Sequence, residues 1–328
     1  LFESWISYDF NTNWTAKFGR QVLSYDNQRI MGGIDWLQQG QSHDAVLVTN
    51  KKNGYQLDFG AALNNNNEAL YESAYVTNYK NMQFIWFNQK FSKLSLSFLA
   101  LNNGYQYENL VENKFQVAYL QTIGTYGKWD ASKFYGDFGL YAQTGEAAVT
   151  NDKVAVGAYY AGFNLGYKFT NPFKAELGFE YLSGKDQNDT DTKVKSFTPL
   201  FGTNHGFNGL MDYFYVGNHK NSVGLQDFYT KFIYDKNKWQ VTLAPHVFYS
   251  AVSVYNMTTL EEQDSYLGTE IDLTATYKMD KNFVISGGVS KMFASDTMEI
   301  LKGGNNNNCN NWAWVMVSFN PQLFTYKK

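Results

Sequence analysis

Arginine is scarce in this sequence, although lysine is common. Arg20 and Arg29 are the two arginines of the chain, against 25 lysines. A guanidinium group can grip a carboxylate through two parallel hydrogen bonds, whereas the ammonium group of lysine acts as a point charge. We therefore predict that Arg20 and Arg29 form a weak site for anions.

The spacing of the histidines offers little catalytic or metal-binding chemistry. None of the four falls in an H-x-x-x-H or H-E-x-x-H pattern: His43, His205, His219 and His246. His205 with Asp212 could form a hydrolase-like pair, and so could His246 with Ser250. Each is more simply interpreted as a hydrogen-bonded loop or wall residue. Nucleophile-elbow, P-loop and dinucleotide-binding patterns are also missing, so we predict no enzyme, no metal and no other cofactor.

The single cysteine and the charge balance exclude further classes. Cys309 has no second cysteine to pair with, so neither an intrachain disulfide nor a thiolate metal cluster can form. The 27 basic and 30 acidic residues give a formal net charge of −3, which argues against nucleic acid as a partner. The chain begins at Leu1 without an initiating Met, so we expect a trimmed secreted precursor or a missing upstream part.

Charged residues recur on one face of predicted strands. From 267 to 279 the odd-numbered residues are almost all apolar, whereas the even-numbered ones include Glu270, Asp272 and Lys278. Side chains alternate sides along a strand, and residues 55–63 and 173–181 repeat the pattern. Strands of about ten residues with this alternation are typical of a transmembrane β-barrel with a watery interior. We predict that the odd-numbered residues of 173–181 and 267–279 face lipid.

The composition fits a single barrel in lipid. Aromatic residues make up 18% of the 328 residues, led by 26 Phe and 25 Tyr, yet the mean hydropathy is only −0.42. A polar lumen and polar loops lower the mean hydropathy, while Tyr and Trp collect in interfacial girdles. No shift in composition marks a boundary, so residues 1–328 are predicted to form one domain in the outer membrane of a Gram-negative bacterium, with outer-membrane lipid as a partner.

The predicted fold class is all-β: a transmembrane antiparallel up-and-down β-barrel of about 14–18 strands. Fifteen strands are predicted from the pattern: 2–10, 14–23, 44–50, 55–63, 81–91, 94–101, 115–123, 134–143, 155–169, 173–183, 225–234, 239–252, 267–279, 283–292 and 312–319. Short turns such as 235–238 and 280–282 should face the periplasm, and the long polar stretches the outside.

The charges on the polar faces are candidates for lining a pore: Lys174, Glu176, Glu180, Asp227, Lys231, Glu270, Asp272 and Lys278. Both signs occur. One interpretation is a solvated wall without selectivity, and the other is a pore whose opposed charges sort hydrophilic solutes. The sequence leaves both open.

A long insertion is predicted at 184–223, where about forty residues separate two strands. Its first part, 184–195, is charged and should be mobile. Its second part is rich in Phe, Leu, Met and Tyr, and so much apolar surface must pack on something. It either folds over the outer mouth or dips inside and narrows the pore, with Asn204, His205 and Asp212 along the path.

Two motifs carry a family resemblance. They are Gly19-Arg20-Gln21 with Tyr25-Asp26-Asn27-Gln28-Arg29, Asp35-Trp36 and His43-Asp44-Ala45, and the stretch 199–207 running into 212–218. The chain resembles the alginate-export family of outer-membrane porins. The resemblance implies an eighteen-stranded monomeric barrel, with strands upstream of the first motif, that passes an acidic polysaccharide or smaller solutes. It also implies four pore-side candidates: Arg20, Asp26, Arg29 and Asp44.

Strand parity bears on the first of these candidates. Arg20 shares a side with Trp14, Ala16 and Phe18 unless Gly19 marks a bulge.

A passive outer-membrane channel for hydrophilic solutes is the leading functional hypothesis. The alternatives are an accessory barrel that conducts little and docks other outer-membrane proteins, and a soluble β-rich carbohydrate binder.

Overall fold

The computed structural model describes residues 1–34, 36, 40–65, 70, 75–203, 205–219, 222–322 and 324. In this part of the chain, fifteen strands form one antiparallel sheet in which each strand pairs with its neighbours in sequence. A two-stranded hairpin and two short helices lie in the connections. No helix within the described residues has the length and apolar character needed to cross a membrane.

The strands are β1 (Ser4–Asp9), β2 (Trp14–Gln21), β3 (His43–Lys52), β4 (Tyr55–Leu63), β5 (Asn81–Phe91), β6 (Leu94–Asn109), β7 (Lys114–Ala131), β8 (Phe134–Val149), β9 (Asp152–Lys168), β10 (Phe173–Leu182), β11 (Leu225–Lys236), β12 (Trp239–Tyr249), β13 (Val254–Tyr255), β14 (Glu262–Gln263), β15 (Tyr266–Lys278), β16 (Phe283–Ala294) and β17 (Asn310–Phe319). β13 and β14 form the separate hairpin. The helices are a 3-10 turn (Val216–Asn218) and α1 (Asp296–Lys302).

All fifteen predicted strands of the sheet are confirmed, but three of them are longer than predicted. β6, β7 and β8 have 16, 18 and 16 residues and continue well past 101, 123 and 143, where the predicted strands end. The additional residues of these strands pair in regular register, although apolar and polar residues no longer alternate in their sequence. Beyond the lipid both faces of a strand meet water, so pairing there no longer requires an apolar face.

The predicted alternation of faces is present in the sheet. On β10, Phe173 and Leu177 are 55% and 60% exposed, whereas Glu180 on the other face is 4% exposed. β4 follows the same rule, with Phe59 exposed and Asp58 buried. We call the apolar, exposed face the outer face and the other the inner face. Exposed apolar side chains on a strand suit contact with lipid.

One residue of β15 departs from the predicted facing. The β12–β15 register shifts between Phe248 and Tyr249, which pair with Gly268 and Tyr266 and leave Leu267 between them. Leu267 is fully buried. The prediction that Leu267 faces lipid is therefore wrong, because a bulge changes the parity of the strand. Beyond the bulge the parity is as predicted.

The two rims of the sheet differ. Short turns join β1 to β2, β3 to β4, β5 to β6, β7 to β8, β9 to β10, β11 to β12 and β15 to β16 at one rim, and the longest connections lie at the other. Aromatic pairs line the outer face near the short turns, among them Phe134 with Tyr167, Phe173 with Tyr234, and Trp239 with Tyr277. This is the girdle expected at a membrane interface.

Two long connections turn back onto the inner face. We call them loop 22–42 and loop 183–224. They pair with one another, since Phe201 N donates to Ile30 O at 3.0 Å and Gly32 N donates to Phe201 O at 2.8 Å. A Cβ atom on Gly202 would lie 2.3 Å from the carbonyl oxygen of Arg29, so the close approach of the loops requires glycine there.

Contacts of loop 22–42 show how the sheet curves. Asp26 bonds to Trp86 on β5, Arg29 bonds to Glu180 on β10, and Trp36 packs against Trp312 on β17. β5, β10 and β17 are far apart in the order of the sheet, so one loop can contact all three only if the sheet curves around that loop. The inner face therefore encloses a lumen, and both loops lie inside it.

β1 and β17 are the two edges of the described sheet. Both strands run from the long-loop rim to the short-turn rim. The direction reverses at each step from one strand to the next, and an even number of steps leads from the first strand of the fifteen to the last. In a closed antiparallel barrel an odd number of further strands would lie between two such edges.

Candidate functional site

Four buried carboxylates form a row on the inner face of β10, β11 and β15. Glu180 pairs in register with Asp227, and Glu270 and Asp272 follow two strands further along. Each is almost fully buried. We call these four residues the carboxylate row. A buried carboxylate needs hydrogen-bond donors, and loop 183–224 supplies several of them.

Asn208 connects loop 183–224 to two members of the row. Its Nδ2 donates to Glu180 Oε2 at 2.9 Å and to Asp227 Oδ2 at 3.2 Å. Asp227 also contacts His246 on β12, whose Nδ1 lies 3.0 Å from the carboxylate. The amide of one loop residue thus bridges adjacent strands of the wall.

The backbone after Asn208 binds the rest of the row. Met211 N donates to Glu270 Oε1 at 2.8 Å, and Leu210 N donates to Asp272 Oδ2 at 3.3 Å. Gly209 has φ +83°, and a Cβ there would lie 2.6 Å from the Glu270 carboxyl carbon. Glycine is required for both the backbone conformation and the space. Residues 208–211 are the loop tip, and the row fixes this tip against the wall.

Arg29 approaches the same place from loop 22–42. Its Nη2 lies 2.9 Å from Glu180 Oε2 and donates to Asn208 Oδ1 at 2.8 Å. Its guanidinium carbon lies 4.6 Å from the centroid of the Phe207 ring and 5.4 Å from that of Tyr160. Arg29 is therefore a buried cation that joins both loops to β10, with cation–π contacts on two sides.

The residues just before Arg29 reach a second part of the wall, at β4, β5 and β6. Asp26 accepts hydrogen bonds from Ser97 Oγ at 2.6 Å and Trp86 Nε1 at 3.2 Å, and Tyr25 OH donates to Asp58 Oδ2 at 2.9 Å. Burial raises the pKa of Asp26 above its usual range. Because Asp26 and Arg29 bond to β5–β6 and β10, this segment crosses the lumen.

Arg20 and Asp44 lie elsewhere. They pair with each other, Arg20 Nε and Nη2 donating to the two Asp44 oxygens at 2.8 and 2.7 Å. Both are exposed and share the outer face with Phe18 and Val46. The register is unbroken at Gly19, so no bulge reverses the parity. The expectations that Arg20 and Asp44 line the pore, and that Arg20 and Arg29 form one anion site, are corrected: each arginine binds its own carboxylate.

A chamber lies between the loop tip and the short-turn rim. It consists of two adjoining cavities of about 140 and 330 Å³ that share Gly206, Phe207, Asn208, Lys231 and His246. Glu176, Asp137 and Asp272 also line it. Of the predicted pore residues, four thus face this chamber: Glu176, Glu180, Lys231 and Asp272.

Lys174 and Lys278 lie towards the short-turn rim. Lys174 Nζ is 3.3 Å from Asp235 Oδ2, and Lys278 is exposed at the end of β15. Neither contacts the loops in the described part of the chain.

His205 and Asp212 pack close to β17. Asp212 Oδ2 lies 3.3 Å from His205 Nδ1, and the His205 ring stacks on Trp36 with ring centroids 4.1 Å apart. Trp312 and Trp314 of β17 complete the cluster. Asn204 and Asp35 lie outside the described residues.

Sequence reasoning missed Asn208, a residue of loop 183–224 that bonds to Arg29 of loop 22–42 and to carboxylates of β10 and β11. The one available signal is the Asn208-Gly209 dipeptide, a turn signature inside an apolar stretch. It also missed Asp137, whose parity on β8 places it on the inner face opposite Asn164. Within the described residues, no group of three or more His, Cys, Asp or Glu side chains is placed to hold a metal ion.

Comparison with known proteins agrees with this architecture. The family model for alginate export matches residues 1–310. No curated protein sequence matches the chain. Solved structures with the same fold include OccAB1 of Acinetobacter baumannii (TM-score 0.64, 14% identity, 95% of this chain and 75% of that one). OccK10 of Pseudomonas aeruginosa matches with a TM-score of 0.60 and 11% identity, over 95% of this chain and 82% of that one. OprD of the same bacterium matches with a TM-score of 0.55 and 12% identity, over 93% of this chain and 75% of that one.

These neighbours share the barrel fold, and their low identity carries no residue-level correspondence. The family match spans nearly the whole chain. The sheet, its outer apolar face and the loops in its lumen fit an outer-membrane β-barrel channel for solute passage. The chain therefore belongs to the alginate export family.

Proposed function

We propose that the protein is a passive channel for small hydrophilic solutes, narrowed by loop 183–224, and that it has no enzymatic activity. The observation that carries this proposal is the position of the loop tip, which binds inward-facing carboxylates of β10, β11 and β15. Glu180 and Asp227 lie two residues inside the long-loop ends of β10 and β11, but Asp272 lies at the middle of β15, which a loop folded over the outer mouth would not reach.

The bonds at the loop tip favour a fixed constriction. Four hydrogen bonds join residues 208–211 to the carboxylate row, and a buried polar group left without its partner costs about 1–3 kcal/mol. A loop held in this way sets the width of the path. The hydrophilic side chains that line the chamber then suit solutes that carry water or charge.

The Asp227–His246 contact resembles part of a catalytic triad, but a nucleophile is missing. His246 Nδ1 faces Asp227, and no Ser, Thr or Cys side chain in the described part of the chain bonds to His246 Nε2. Ser250, the predicted alternative partner, makes no hydrogen bond to His246. This arrangement supports a structural or binding role for the pair.

Single-channel recording in planar bilayers tests the proposal. We expect discrete, voltage-independent conductance steps from the purified full-length protein. An accessory barrel that only docks other outer-membrane proteins would insert, show heat-modifiable migration in gels and give no steps. That result would overturn the channel proposal.

A further inference from the structure

The charges around the chamber are unbalanced. Four carboxylates line it, Asp137, Glu176, Glu180 and Asp272, against the single ammonium of Lys231. No salt bridge joins Lys231 to a carboxylate within the described residues.

Three cations face these four carboxylates: Arg29 forms an ion pair with Glu180, while Lys231 lies opposite Glu176 and Lys128 opposite Asp137 in the register of the sheet, without an ion pair among the described residues. Glu176 accepts from neutral donors, Tyr135 OH at 2.9 Å and Asn164 Nδ2 at 3.4 Å, and Asp137 accepts from Asn164 at 3.5 Å. The chamber therefore keeps a negative surplus. Inside a narrow lumen with low-dielectric walls, such a surplus attracts cations more strongly than it would in open water.

An independent feature is the free nitrogen of His246. The residue is 6% exposed, and it lines both cavities of the chamber. Nδ1 lies 3.0 Å from both oxygens of Asp227, so Nδ1 carries the proton that the carboxylate accepts. In the neutral imidazole Nε2 presents a lone pair, and Nε2 has no hydrogen-bond partner in the part of the chain that the structure describes. The Nε2 atom is also accessible to solvent.

We propose that the chamber is a binding subsite for small organic cations that carry an ammonium or guanidinium group. The inference rests on the proposed channel function and adds its substrate class. His246 Nε2 accepts one hydrogen bond from the cation, and the carboxylates of Glu176 and Asp272 supply the negative charge. The rings of Phe207 and Tyr229 already carry the protein's own cations, with Arg29 4.6 Å and Lys231 5.2 Å from their centroids, so the bound cation is held by charge and by the hydrogen bond to His246. Lys231 weakens the site by its own charge.

Binding and transport are measured separately. Methylguanidinium is titrated into the detergent-solubilised full-length protein by calorimetry, with acetate as the anionic comparison. In planar bilayers the reversal potential is measured across a KCl gradient. We expect methylguanidinium to bind, acetate not to bind, and potassium to be preferred over chloride.

Two variants of opposite sign sharpen the test. Glu176→Gln should weaken methylguanidinium binding by roughly threefold or more, and Lys231→Gln should strengthen it by a similar factor. Glu146→Gln is the matched control, because Glu146 forms an exposed pair with Lys153 at the long-loop rim. Its binding should equal that of the unaltered protein. Since Lys231→Gln predicts a gain, a misfolded variant cannot imitate it.

Three outcomes are informative. Preference for acetate, or equal effects of Glu176→Gln and Glu146→Gln, would overturn the cation subsite while leaving the channel intact. Methylguanidinium binding without any conductance would support the subsite and overturn the channel proposal.

Discussion

The two arginines form the same kind of ion pair in very different surroundings. The side chains of Arg20 and Asp44 are 44% and 50% exposed, whereas those of Arg29 and Glu180 are 2% and 6% exposed. Arg20 has the better geometry, with two parallel hydrogen bonds. Arg29 has the larger network, because Glu180 also bonds to Asn208 and Tyr160.

Burial decides which pair matters to the fold of the lumen. An exposed ion pair is screened by water and contributes about 0–1 kcal/mol. Removing one partner of a buried pair leaves the other charge unpaired and costs roughly 3–5 kcal/mol. The outer pair is therefore dispensable, and the inner pair holds both loops in place.

The largest expected effect comes from breaking the inner pair. Arg29→Ala should lower the free energy of unfolding by about 3–5 kcal/mol, because Glu180 loses its cation in a buried site. Arg20→Ala should change it by about 1 kcal/mol or less. Urea unfolding in micelles, followed by tryptophan fluorescence, measures both. Equal losses would contradict the comparison.

A double variant separates charge from packing. Arg29→Met combined with Glu180→Gln removes both charges at similar volume, and it should recover much of the stability that Arg29→Ala loses.

A smaller effect should follow from lowering the pH. Burial lowers the pKa of His219, in loop 183–224, to about 3, and the nearby Arg29 cation adds to the shift. In the unfolded chain the histidine titrates near 6.5. Only the neutral form suits the packed loop, so this contribution is fully present above about pH 6.5 and is lost as the pH falls towards 3.

Hydrogen exchange of loop 183–224 measures this loss. Protection of the segment should fall between pH 7 and pH 4.5 in the natural protein and should fall less in His219→Gln, whose amide can still donate to Phe214 O. Identical profiles would show that His219 does not couple pH to loop packing.

The subtlest contrast is between neighbouring residues of β15. Thr274 lines the chamber, whereas Leu273 lies exposed on the outer face. In a Cys309→Ser background, which removes the exposed natural thiol, a membrane-impermeant thiol reagent should modify Thr274→Cys and spare Leu273→Cys in intact outer membranes. Equal labelling would refute the assignment of faces.

The sequence predicts the wall much better than the lumen. Strand position and facing follow from alternation between neighbouring residues, and even the outward position of Arg20 was implied by its parity with Phe18. The bulge at Leu267 was not predictable, because it depends on pairing with β12. The loop contacts were not predictable either: Arg29 and Asn208 are 179 residues apart.

The measurement closest to the central claim is single-channel conductance after removal of the loop. Deleting residues 196–218 removes the loop tip, so conductance should rise severalfold while heat-modifiable migration shows that the barrel still assembles. Deleting 257–260, the exposed end of the β13–β14 hairpin, should leave conductance unchanged. Unchanged conductance in a correctly assembled 196–218 deletion would contradict the account and leave loop 183–224 only a lid or a docking surface.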